Sequence, residues 1–201
     1  MKIVERHVII FSIAMFVTTV GLFIYLPFIG RKRQFTVAID IEKLCKVDVD
    51  ENEWKYVVLH HSATDEGNAR RFDRYHREIR KWSEGLAYHF VIGNGNGSGN
   101  GEIEVGDRWK KQIHGAHTAN MDLNRIAIGI CLVGNFELDN KPTNNQLESL
   151  ISLVNYVSKR YNIPKSNIIM HNQVVQKGTA CPGKNFPYKK LIDEISSLRP
   201  L

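Results

Sequence analysis

The chain has 201 residues, of which 43% are apolar and 24% charged, and 27 Lys and Arg against 21 Asp and Glu give it a net charge of +6. That balance excludes a collagen-like, low-complexity or wholly disordered chain, and the length suits one domain with an appendage. Cys45, Cys131 and Cys181 are too few and too scattered for a disulfide scaffold.

Residues 8–30 form a run of 23 residues without a charged side chain, and about 20 apolar residues suffice to cross a bilayer as a helix. Lys2 and Arg6 precede the run, and Arg31, Lys32 and Arg33 follow it. With Glu5, residues 1–34 carry +4, which leaves +2 for the other 167 residues. The basic excess is therefore mostly juxtamembrane, suited to anionic headgroups. The run is longer than the apolar core of a signal peptide and ends in Leu-Pro-Phe-Ile-Gly, so we read an uncleaved anchor over residues 1–34. The flanking charges are too evenly matched to orient it.

Residues 35–53 read as a connector. Tyr56 to Leu59 is a buried strand, and Phe72, Tyr75, Ile79 and Trp82 recur at helical spacing, predicting a helix over 68–82. Its other face, Arg70, Arg71, Arg74, Arg77, Arg80 and Lys81, reads as a solvated surface. Tyr88 to Ile92 is a second strand. The run GNGNGSGNG (93–101) lacks a G-x-G-x-x-G and lies between two strands, so it reads as a long hairpin connection, not a phosphate loop. Glu102 to Val105 is the return strand. Ile126 to Val133 is almost unbroken in its apolar character, as a central strand covered on both faces would be. Thr143-x-x-Gln146 opens a helix with a capping box, and Leu147, Leu150, Ile151, Val154, Val157 and Tyr161 form its buried stripe. Ile168 to Met170 is a short strand, and Tyr188, Leu191, Ile192, Ile195 and Leu198 mark a closing helix. The order predicts an α/β domain over 54–201, with a mixed central β-sheet flanked by helices.

A catalytic zinc takes three protein ligands from thiolate, imidazole and carboxylate and keeps one position open. His60 ends the first strand, His171 ends the Ile168 to Met170 strand, and Cys181 sits in a loop ten residues on. Strand ends and a returning loop can bring such groups together. Each residue alone reads more often as a buried structural side chain, and spacing does not choose between His60 and His61, which point to opposite strand faces.

Four ordered blocks carry a resemblance: VVLHHSAT (57–64), LAYHFVIGNG with EIEVGDRW (86–109), GAHT with NRIAIGICLVGNF (115–136), and MHNQVVQKGTACPG (170–183). With them the chain resembles the zinc-dependent N-acetylmuramoyl-L-alanine amidases of the type shared by phage amidase lysozymes, muropeptide amidases and peptidoglycan recognition proteins, over residues 54–199. The resemblance implies Zn2+ held by His60, His171 and Cys181. It implies that Tyr88 assists at the reacting water or the oxyanion, that Thr179 occupies a catalytic position that is Lys in some relatives, and that His117 lines the substrate groove. Cys131 stands where the muropeptide-amidase branch carries Glu, which favours the Tyr88 form of the mechanism.

The implied function is hydrolysis of the amide between N-acetylmuramic acid and L-alanine in peptidoglycan or its fragments. The alternative is a non-catalytic peptidoglycan-binding module, against which the complete ligand set counts. The domain's +2 and its lack of a recognition motif argue against nucleic acid. A monomer is expected, anchored through residues 8–30, its domain on the cell-wall side. A wall-remodelling enzyme is favoured over a phage lytic one.

Overall fold

Six consecutive buried or half-buried residues, YVVLHH, form strand β1 (Tyr56–His61). Such a run is stable only with both faces covered, and β1 lies inside the sheet. In the computed structural model the described residues are 40–138, 140–174 and 178–195. The apolar run 8–30, its basic flanks and the end of the closing helix pattern at Leu198 lie outside them. Among the described residues no helix is long and apolar enough to cross a membrane.

The elements follow in chain order. They are α1 (Ile41–Leu44), β1, α2 (Ala69–Glu78), β2 (Phe90–Ile92), β3 (Ile103–Val105), α3 (Asp107–Lys110), α4 (Met121–Ile126), β4 (Ala127–Leu132), α5 (Asn144–Tyr161), β5 (Ile168–Met170) and α6 (Tyr188–Glu194), with short 3-10 turns on either side of β5. The strands form one sheet in the order β3-β2-β4-β1-β5. β2, β4, β1 and β5 run parallel, and β3 is antiparallel to β2 through the glycine-rich connection. This is the mixed sheet that the strand–hairpin–helix order implies. β4 is buried at all of its positions and lies between β2 and β1.

The sheet has two unequal faces. Val57 and Leu59 on β1, and Ile128, Ile130 and Leu132 on β4, join the large core, with Leu147, Leu150, Leu153, Val154 and Val157 of α5 and Leu191 of α6. α5 begins with the expected capping box, Thr143 with Gln146. Gln146 also donates to the carbonyls of Ile92 (3.1 Å) and Val133 (2.9 Å), which anchors the helix start to the ends of β2 and β4. Alternation sends Val58 and His60 of β1, and Gly129 and Cys131 of β4, to the other face. There the apolar packing is smaller: Leu86, Val91 and Val133, with Ala69, Phe72 and Tyr88 against them.

Two sequence expectations change. Packing begins before residue 54: Cys45 and Trp54 are in the core with Leu44 and Val47 against it, and Trp109 donates its indole N–H to the Cys45 carbonyl at 3.1 Å. The stretch read as a connector thus covers the sheet from Asp40 onward, because one short helical turn and two large side chains complete the core without any long periodic pattern. Helix α2 ends at Glu78, and Tyr75 and Ile79 are 52% and 65% exposed. Of the expected apolar stripe Phe72 packs inward and Trp82 is half-buried against His76, because the thinner face has little left to bury. The arginines of α2 are exposed, as a solvated face requires.

Candidate metal centre

His60 is the fifth residue of β1 and pairs in register with Cys131 of β4, so both side chains project from the thinner face. His61 projects oppositely, and its Nδ1 accepts the backbone N–H of Phe136 at 3.1 Å. Of the two histidines, His60 is the one grouped with His171 and Cys181. His171 directly follows β5, which pairs with β1 on the other side. The loop carrying Cys181 folds back over these strand ends: Asn172 N–H donates to the Cys181 carbonyl at 2.8 Å, and His61 N–H donates to its sulfur at 3.4 Å. Thr179 Oγ1 accepts the Cys181 N–H at 3.2 Å, so its hydroxyl braces the ligand loop.

One ligand atom from each of His60, His171 and Cys181 lies within 4.8 Å of the other two. His60 Nδ1 is 3.7 Å from Cys181 Sγ, and the His60 and His171 ring centroids are 4.5 Å apart. Tetrahedral zinc, with bonds of about 2.3 Å to sulfur and 2.0–2.1 Å to nitrogen, holds such atoms about 3.3–3.6 Å apart. The donor set and spacing fit zinc after a small contraction. His171 and Cys181 are half-exposed, which leaves an open side.

The remaining predicted residues surround this centre. Tyr88 is half-buried, its ring centroid 5.2 Å from that of His60, with the Cys131 thiol close to its hydroxyl. Burial, with Cys131 and Cys181 nearby, pushes the phenol well above its usual range, so it stays protonated. The Leu86–Tyr88 approach is clamped by buried Arg108, which donates to the carbonyls of Leu86 (2.6 Å) and His114 (2.5 Å). His117 is placed behind His60 and is 6% exposed. Its Nδ1 is 3.1 Å from His60 Nε2, and its Nε2 is 3.3 Å from the Ala127 carbonyl. Burial holds both rings neutral: His60 falls well below the usual histidine range and His117 falls to about 3. Burial also raises the Cys181 thiol to about 12, so a bound cation must displace its proton.

Sequence reasoning missed His89. His89 is fully buried, accepts Gly129 N–H at Nδ1 (2.9 Å) and meets the Ile113 carbonyl through Nε2 (3.1 Å). Its signal was a lone histidine in the apolar run LAYHFVI, since a buried polar ring needs partners on both nitrogens. Cys131, placed by the resemblance where one branch carries Glu, comes to the wall of the site through its register with His60.

The glycine-rich connection is tied to the segment after β1 by Gly67 N–H to the Asn96 carbonyl (3.0 Å), Asn68 to Gly97 (2.7 Å) and Asn94 to Asp65 (2.9 Å). A pocket of about 250 Å³ lies beside it, lined by Asp65, Asn94, Phe136, Lys141 and Thr143 among others.

Residues 50–184, more than half of the chain, match the N-acetylmuramoyl-L-alanine amidase family. The chain belongs to that family. The amidase LysC from Clostridium intestinale URNW is 31% identical, with a TM-score of 0.60, covering 71% of this chain and 85% of LysC. The endolysin of Enterobacteria phage K11 is 31% identical over 113 residues, 53% of this chain and 68% of the endolysin. Peptidoglycan recognition protein-LE, solved in complex with tracheal cytotoxin, a monomeric diaminopimelic acid-type peptidoglycan, is 28% identical with a TM-score of 0.57, covering 74% of this chain and 85% of that one. The amidase hydrolyses the amide between N-acetylmuramic acid and L-alanine of peptidoglycan.

Proposed function

We propose that this amidase works with one zinc ion held by His60, His171 and Cys181, and that the convergence of these three ligand atoms within 4.8 Å carries the reading. Zinc there supplies a Lewis acid that activates water and polarises the amide carbonyl. Tyr88 keeps its proton and donates a hydrogen bond to the oxygen that gains charge as the carbonyl is attacked. Thr179 holds the Cys181 backbone and so keeps the thiolate aimed at the ligand position. The half-exposed side at His171 and Cys181 admits the scissile amide. A relative that binds a monomeric muropeptide supports peptidoglycan fragments as ligands here too.

The apolar run 8–30 with basic flanks supports a single membrane anchor, and the wall substrate supports a domain on the wall side. We read the amidase as a monomer. A C-terminal reporter fusion that is active only in the cytoplasm would overturn the orientation.

The catalytic reading is tested by metal analysis of the purified protein and by mass analysis of products from purified peptidoglycan. About one zinc per chain is expected, with release of peptides bearing a free L-alanine amino group. Cleavage that survives both chelation and Cys181→Ala overturns the zinc mechanism. Tight wall binding without cleavage by a zinc-loaded sample favours the non-catalytic module.

A further inference from the structure

We propose that His117 is a positioning residue for the metal centre: it fixes the tautomer of His60 so that the Nδ1 lone pair faces the metal position. This rests on the zinc reading above.

Ala127 O can only accept, so His117 Nε2, 3.3 Å away, carries a hydrogen. In the neutral imidazole Nδ1 is then bare. It lies 3.1 Å from His60 Nε2, which must supply the hydrogen between them. His60 therefore bears its hydrogen on Nε2, and its bare Nδ1 points toward Cys181 Sγ at 3.7 Å. A backbone carbonyl at the start of β4 thus selects, through two rings, which nitrogen of a metal ligand is free. Metal-bound histidines are commonly oriented through the other ring nitrogen in this way.

The ring of His117 is held in a slot built for it. A Cβ at Gly115 or at Gly129 would each stand 2.3 Å from His117 Cδ2, so only glycine at those positions admits the ring between them. His89 closes a further side, with ring centroids 5.9 Å apart. It cannot turn away, because Gly129 N–H and the Ile113 carbonyl hold its nitrogens and Trp54 packs on it at 4.7 Å. Both His117 nitrogens are engaged inside the protein and the ring is 6% exposed, which leaves no polar atom to line a substrate groove.

Two readouts test this without relying on cleavage. Long-range 1H–15N spectra of the imidazoles in the metal-free, full-length protein should show His60 and His117 both protonated on Nε2 at neutral pH. A hydrogen on Nδ1 of His60 overturns the proposal in the wild-type protein, whether or not any variant folds. Chelator competition should show zinc affinity reduced about 10–100-fold in His117→Ala. His117→Gln keeps an acceptor oxygen and a donor amide in one planar group, and should recover part of that loss. Unchanged affinity in His117→Ala, or equal loss in both variants with the fold retained, also overturns it. A protein that passes both tests yet releases no peptide from the wall would overturn the enzymatic reading alone.

Discussion

Gly183 and Phe136 meet with no room between them: a Cβ on Gly183 would stand 2.3 Å from the Phe136 carbonyl carbon and 2.4 Å from the next backbone nitrogen. Gly183 has φ +101°, where side chains are strained, and the atoms it would strike are backbone. The contact seats the loop that carries Cys181 two residues earlier. Gly183→Ala should cost about 1–3 kcal/mol of stability. It should also weaken zinc binding by lifting the thiol from the His60 side. Thermal unfolding and chelator titration measure the two effects, and an unchanged melting temperature would show that the loop is not seated by this contact.

Tyr88 keeps its proton and stands beside His60, where we propose that it donates to the oxygen gaining charge. Tyr88→Phe keeps the ring that packs near His60 and His76, with centroids 5.2 and 6.1 Å away, and removes only the hydroxyl. Loss of one such donor typically slows the chemical step about 10²–10³-fold. kcat on purified peptidoglycan should fall in that range while zinc content stays near one. A drop in bound metal instead would assign the hydroxyl to holding the centre.

The Cys181 thiol touches three groups of the site: His60 Nδ1, His61 N–H and the His61 carbonyl. Cys181→Ala should abolish cleavage and metal retention while leaving the sheet folded, because the sulfur sits on the half-exposed side and not in the large core. Chelation of the wild-type protein should give the same inactive state, reversed by added zinc. Circular dichroism and metal analysis of the variant check both halves.

His89 makes the stability of the domain pH-dependent. Burial holds this histidine well below its usual range in the folded state, with His117 and Arg108 adding to the effect and the Ile113 carbonyl opposing it. The unfolded chain therefore binds more protons than the folded one once pH falls below about 6.5, and stability is lost as pH falls. The slope for one such group is about 1.4 kcal/mol per pH unit. Denaturant unfolding of the metal-free protein at a series of pH values should show it, and His89→Gln should reduce the slope by that one group's share while the buried His60 and His117 keep theirs. A profile equally steep in the variant would move the effect to other groups.

Long periodic patterns were legible without coordinates. β4 and α5 lie where their apolar runs and the Thr143 capping box place them, because burial on both faces and helix capping leave direct marks in residue order. α1, α3 and α4 left none, since four to six residues do not complete a recognisable period. The α2 stripe misled for a different reason: Tyr75 and Ile79 have helical spacing, yet the helix ends and the thin face runs out before they can be buried.

The amino-acid sequence by itself determined the mixed α/β sheet, the amidase family and the three residue types able to hold zinc, because strand runs, capping and ordered motifs are local. Only the tertiary structure decided that His60 faces His171 and Cys181 while His61 faces Phe136, that Cys131 stands beside Tyr88, and that a nitrogen of His117 meets His60 Nε2. Each of these depends on strand register and on hydrogen bonds between segments far apart in the chain. The direction of a ring nitrogen's lone pair is set by such partners, and no spacing along one segment encodes it.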